Sequence, residues 1–266
     1  MNLPRIENKN LHNEIHIWAA DLDQWNLSCL EAVQELPETE AKKAGRFRFE
    51  THRKRYIKGH YLLRALLGMY LGTDFYDRAF HINKYGKPAL INTKTEDTIF
   101  FNISNSENIY VCAFSQNSDI GIDIEKNHDL PDMDRIMAES FSAEEKRRFH
   151  TLSEPDRTRT FFQYWARKEA LLKAMGMGLS YPMNQVNAVT GDKHSSQLIT
   201  KIAGSDISNQ WTLLDMDICT GFTSALALQG EHPDLAGQVR SFHLADEIIN
   251  PLNEKHNNFL QCGAGN

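Results

Sequence analysis

The chain has 266 residues, 41% of them hydrophobic and 24% charged, with a formal net charge of −6. That apolar share suffices for a buried core and excludes a wholly disordered chain, and no apolar run reaches the ~18 residues that a membrane-spanning helix needs. The polar stretch over residues 1–10 predicts no secretory leader, and four dispersed cysteines (Cys29, Cys112, Cys219, Cys262) without a CxxC pair predict reduced thiols in a cytoplasmic protein, against a disulfide or zinc framework. Residues 15–20, rich in β-branched and aromatic side chains, read as a first strand. Short helices over 26–36 and 38–44 flank Pro37. From 51 to 71 apolar residues recur near helical spacing, and Gly72 supplies a C-cap. Extended pieces follow at 79–83, 98–103 and 109–114, with Tyr85-Gly86-Lys87-Pro88 as a turn after the first.

The second half repeats this order. Residues 119–125 read as a strand, and Ser142-Ala143-Glu144-Glu145 is a capping-box signature that opens a helix, with Phe141 packing ahead of it. A long helix is predicted over 155–175, closed by Gly176 and Gly178. Strands are predicted at 186–189, 198–202, 211–216, 222–228 and 239–244. The pattern predicts an α+β fold of two similar α/β subdomains, over residues 1–116 and 117–248, with a mobile polar tail over 249–266.

The average charge conceals an uneven distribution. Between Ala41 and Arg64 nine Lys and Arg residues face a single acid, Glu50, so this stretch carries +8 and the rest of the chain −14. Such a cluster attracts phosphates or an acidic partner, although a short charge run is often only a solvated helix face.

Two constellations bear on chemistry. In Gly121-Ile122-Asp123-Ile124-Glu125 the i, i+2 spacing of a strand puts Asp123 and Glu125 on one face and Ile122 and Ile124 on the other. Paired carboxylates repel, and a hard cation such as Mg²⁺ relieves that repulsion. An exposed strand face would read the same way. In Trp165-Ala166-Arg167-Lys168-Glu169-Ala170-Leu171-Leu172-Lys173 the residues Trp165, Glu169 and Lys173 share one helix face. They could pair a base with a phosphate-stabilising cation, or form an ordinary ion pair on the surface. Lys168 lies one residue off that face.

Gly-x-Asp-x-Glu followed by Trp-x-x-Lys-Glu-Ala-x-x-Lys-Ala-x-Gly-x-Gly-Leu resembles the signature pair of the 4'-phosphopantetheinyl transferases, of the larger, two-lobed Sfp-like type. The resemblance extends to Arg55-x-x-x-Gly59, Gly86-Lys87-Pro88, Phe101-Asn102-Ile103-Ser104 and Phe141-Ser142-Ala143-Glu144-Glu145. It implies a pseudo-two-fold fold with the active site between the subdomains. The implied activity moves the 4'-phosphopantetheine arm of coenzyme A onto a serine of an apo acyl or peptidyl carrier protein, in non-ribosomal peptide or polyketide biosynthesis. Adenosine 3',5'-bisphosphate is released.

By the same resemblance Asp123, Glu125 and Glu169 gather Mg²⁺. Glu169 is the candidate base for the acceptor serine, and Lys173 stabilises the phosphate. Lys43, Arg55, Lys87, Ser104, Asn105 and Lys173 match positions that contact coenzyme A. Asn105 stands where the family commonly carries a histidine that meets the 3'-phosphate, so weaker dependence on that phosphate is expected, or compensation by Arg53 or Arg55. Trp165 is read as packing for the catalytic helix, and His12 and His16 as structural. The expected state is a cytoplasmic monomer with no membrane or nucleic-acid partner. A degenerate relative that only binds coenzyme A or a carrier protein is the alternative, and a metal-dependent nuclease ranks last.

Overall fold

Strand β1 (Ile15–Asp21) is buried along nearly its whole length because it runs through the middle of a sheet. A computed structural model describes residues 11, 13–91, 98–116, 118–154, 156–178, 181–189, 197–199 and 210–244. The tail predicted over 249–266 and His12 lie outside them. After β1 come α1 (Cys29–Glu35), capped by the Ser28 side chain, α2 (Glu38–Ala44) and the long α3 (Glu50–Leu71). Gly72 ends α3 in the left-handed region at φ 72°. A small hairpin, β2 (His81–Ile82) and β3 (Pro88–Ala89), precedes β4 (Ile99–Ser106) and β5 (Ile109–Gln116). Apolar residues of α3, including Leu63 and Leu67, pack with Trp18, Phe101 and Phe114 to form the first core.

The second lobe begins with β6 (Ile120–Lys126), followed by α4 (Met133–Ser140), α5 (Ala143–Phe149) and α6 (Asp156–Met175). Then come β7 (Gln197–Ile199), β8 (Trp211–Met216), β9 (Phe222–Gln229), α7 (Leu235–Gln238) and β10 (Val239–His243). The capping box at Ser142 and Glu145 is present in full. Helix α6 lies across the second sheet, with Ala166, Ala170 and Leu171 packed on Leu213, Ala225 and Ala227.

The two four-stranded sheets run β10-β1-β5-β4 and β6-β9-β8-β7. This is an α+β architecture in which each half supplies a sheet and a long helix. The described thiols, Cys29, Cys112 and Cys219, are free. Among the described residues no helix is long and apolar enough to cross a membrane.

Three expectations need correction. The division after residue 116 assigns residues 239–243 to the second half, but β10 returns to the first sheet and pairs parallel with β1, Val239 opposite Ile15. Residues 186–189 form no strand, because side chains take their backbone groups. Lys168 donates to the Val186 carbonyl, Arg167 to that of Ala188, and Glu145 accepts from the Ala188 N–H. The basic run of 41–64 is also less available than its charge implies. Lys58 is buried and donates to the carbonyls of Leu22 and Trp25, while Arg64 is buried in a bidentate pair with Glu40.

One close contact sets β6 within the second lobe, and another fixes the seam between the lobes. A Cβ on Gly121 would lie 2.0 Å from the Ala170 oxygen and 2.4 Å from the Ala174 nitrogen, so β6 and α6 touch backbone to backbone there. Strands β4 and β6, each the edge of its sheet, face one another across the seam. The side chain of Asn102 accepts from the Ile122 N–H at 3.0 Å, which satisfies a donor that an edge strand leaves open.

Candidate active site

Because β-strand side chains alternate, Asn102, Ser104 and Ser106 of β4 all point at β6. Ser104 Oγ donates to Asp123 Oδ1 at 2.9 Å, and Ser106 Oγ donates to Glu125 Oε2 at 3.2 Å while accepting from the Lys126 N–H at 3.1 Å. Helix α6 completes the cluster from the other side. Lys173 Nζ donates to Asp123 Oδ1 at 2.6 Å and to Ser104 Oγ at 2.9 Å. Strand alternation also buries Ile122 and Ile124 completely in the core.

The carboxylates are held under strain of charge. Burial raises the pKa of Asp123 above its ordinary value, although Lys173 and Ser104 stabilise its ionised form. Glu125 is also raised, by burial and then by the charge of Asp123, against hydrogen bonds from Ser106 and from Trp165. Glu169 is pushed up to about 7, by burial first and then by Asp123, with Lys173 opposing and Glu125 adding to the rise. Three acids that all resist ionisation form a local excess of negative charge that a cation would relieve.

Among the described residues no three His, Cys, Asp or Glu side chains are already gathered as a metal cage. The residues nevertheless fit a hard divalent ion. Their donors are all carboxylate oxygens, and Asp123 Oδ2 is buried without a hydrogen-bond partner.

Comparison with known proteins gives one result for both halves. Residues 119–227 match the 4'-phosphopantetheinyl transferase superfamily, and residues 16–117 match the N-terminal region of 4'-phosphopantetheinyl transferases. The 4'-phosphopantetheinyl transferase HetI of Nostoc sp. is 31% identical over 229 residues, covering 86% of this chain and 93% of its own. The chain belongs to the 4'-phosphopantetheinyl transferase family. The transferase Sfp of Bacillus subtilis is 30% identical over 58% of this chain and 70% of its own. The L-aminoadipate-semialdehyde dehydrogenase-phosphopantetheinyl transferase of Xenopus laevis is 27% identical, over 79% of this chain and 72% of its own.

The structure of this phosphopantetheinyl transferase separates the remaining candidates. Ser104 joins the carboxylate cluster, whereas Asn105 is exposed on the opposite face of β4. Arg55 is held by both oxygens of Asp23, at 2.9 and 2.6 Å, and by Glu107 at 3.5 Å. Arg53 pairs with Glu50 at 3.3 Å, so both arginines expected to compensate for Asn105 already face carboxylates. Lys43 is exposed, its ammonium 5.4 Å from the Tyr56 ring centre. Lys87 lies away from the cluster and meets the end of α6. Lys168 is fully buried against Glu145 at 2.8 Å, a structural pair.

Two features escaped the sequence reading. Trp165, read only as packing, is half-buried, stacks on Phe161 and also hydrogen-bonds Glu125. Ser106, which hydrogen-bonds Glu125, is not among the residues expected at the site. The alternating polar residues Asn102, Ser104 and Ser106 carried a usable signal, a strand with one polar face toward a partner.

Proposed function

We propose that this transferase moves the 4'-phosphopantetheine moiety of coenzyme A to a serine of an apo acyl or peptidyl carrier protein, a reaction of the holo-[acyl-carrier-protein] synthase type. The observation that carries this reading is the meeting of Asp123, Glu125 and Glu169 with the ammonium of Lys173 at the seam of the lobes. The serine oxygen bonds to the phosphorus next to the pantetheine arm, and the bond from that phosphorus to the bridging oxygen breaks. Adenosine 3',5'-bisphosphate leaves with the electron pair. Glu169 accepts the serine proton, directly or through water, and Lys173 offsets the charge on the phosphate under attack.

Asp123, Glu125 and Glu169 would hold Mg²⁺, which when bound neutralises the charge that grows on the pyrophosphate. Ser104 orients Asp123, and Ser106 and Trp165 orient Glu125. For the nucleotide, Lys43, Arg55, Ser104 and Asn105 are the proposed contacts, on the strength of the family resemblance. Because one chain supplies residues from both lobes, a monomer suffices, and the free thiols suit a cytoplasmic enzyme. Its clients would be carrier domains of peptide or polyketide synthases.

The test is an intact-mass spectrum of an apo carrier protein after incubation with the enzyme, coenzyme A and Mg²⁺. A gain of one phosphopantetheine is expected. A carrier that binds with no change in mass would favour a binding-only relative.

A further inference from the structure

The β2–β3 hairpin of the first lobe is fastened to the C-terminal turn of α6 in the second. Asn83 Nδ2 donates to the Gly176 carbonyl at 2.8 Å, while Asn83 Oδ1 accepts from the N–H groups of Tyr85 and Lys87, each at 2.9 Å. Lys87 Nζ donates to the Ala174 carbonyl at 2.7 Å and to Asp119 Oδ1 at 2.9 Å. Both side chains therefore satisfy carbonyls that a helix end leaves without partners. The Lys87 charge also complements the negative end of the helix dipole.

The fit is close. Gly176 adopts φ +65°, and a Cβ there would lie 2.8 Å from Asn83 Nδ2 and 3.3 Å from Lys87 Cδ. Lys87 is largely buried. Burial lowers its pKa, and Asp119 counters that fall, so its charge is already spent inside the protein. Lys173, whose ammonium meets Asp123, directly precedes Ala174, so the clamped carbonyl and that lysine belong to the same helical turn.

We infer that Asn83 and Lys87 are positioning residues, an inter-lobe clamp that holds the last turn of α6 so that Lys173 and Glu169 keep register with Asp123. This rests on the transferase reading for its catalytic consequence. It also reassigns Lys87, expected from the resemblance as a contact of coenzyme A. Its ammonium is bonded to the Ala174 carbonyl and to Asp119, so the contacts it makes are those of a clamp. Asn83 carries no charge, so its part in the clamp separates positioning from phosphate binding.

The experiment compares the full-length wild type with Lys87→Met and Asn83→Ala in three measurements. These are steady-state transfer to an apo carrier protein, calorimetric binding of coenzyme A alone, and hydrogen exchange of the Gly176 and Met177 amides. In both variants kcat should fall between about tenfold and 100-fold, the scale of a small misplacement of reacting groups. Coenzyme A affinity should stay within about twofold of wild type, as a loss confined to the transition state requires. Amide exchange at Gly176 and Met177 should quicken, since those N–H groups bond Lys173 and Leu172 at the turn being released. A fall in coenzyme A affinity with kcat preserved at saturation would overturn the clamp and make Lys87 a ligand. Unchanged exchange in both variants would overturn it as well. If the wild type loads no carrier, the transferase reading fails, and the exchange comparison alone decides the clamp.

Discussion

Glu40 in the first lobe and Glu169 in the second are both half-buried glutamates on helices, yet their surroundings drive them in opposite directions. Burial alone would raise Glu40, but the hydrogen bonds from Arg64, with the His60 ring 3.2 Å away, outweigh it and hold its pKa at about 2. Glu169 shares its space with Asp123 and Glu125 and is pushed up to about 7. One carboxylate is matched to the Arg64 guanidinium, with the His60 ring beside it, and helps join α2 to α3. The other is crowded by its own kind at the seam between lobes. The first arrangement stabilises the fold, and the second stores an electrostatic demand that ligands can relieve.

The contrast is broken most severely by removing an acid from the crowded site. Asp123→Ala should reduce transfer by at least about 1,000-fold, on the scale of lost electrostatic stabilisation, while the circular-dichroism melt stays cooperative and near that of wild type. Transfer at wild-type rate in the mass assay would remove Asp123 from the mechanism.

A smaller effect separates the lobes by pH. Because the folded pKa of Glu40 lies below its ordinary 4.5, its stabilisation is fully present above that value and is lost as pH falls through about 2. The loss should be on the order of 3 kcal/mol, read as a falling urea midpoint between about pH 5 and 2. Glu40→Gln should start lower and show a flatter acid limb. Equal slopes in the two proteins would show that Arg64 and His60 do not hold Glu40.

The smallest effect concerns Asn105, which can donate a hydrogen bond but carries no charge. Wild type should discriminate weakly between coenzyme A and its 3'-dephospho form. Asn105→His should raise the preference by up to about tenfold below pH 6.5, the gain from a charge-assisted hydrogen bond. A preference unmoved by histidine would separate this face of β4 from the 3'-phosphate.

Local signals made much of this fold legible. Alternation placed β6 and its two acids, helical spacing placed α3 and α6, and the Ser142 capping box placed the start of α5 within one residue. What escaped depends on contacts distant in sequence. Residues 186–189 are apolar enough for a strand, but buried Lys168, Arg167 and Glu145 claim their hydrogen bonds first. The short α4 places Met133, Ile136 and Met137 at i, i+3, i+4 spacing, but over only eight residues, a window too short to stand out from the polar chain around it. Nothing near Val239 announces that it will lie beside Ile15. At the site, the spacing put Asp123 with Glu125 and Glu169 with Lys173. The meeting of those pairs, and the turning of Ser104 and Ser106 toward them, required the seam.

The return of β10 to the first sheet also orders events during synthesis. Chains emerge N-terminal residues first, and domains commonly fold as they appear. Here, when residues 15–116 have left the ribosome, β1 still has one side bare, and the strand that will cover it is more than a hundred residues from being made. Until then β1 is an open edge able to pair with any extended segment nearby, including its own copy on a neighbouring nascent chain. The lobe synthesised first is therefore completed last, and a chain interrupted before residue 239 would leave the damage in the half already made.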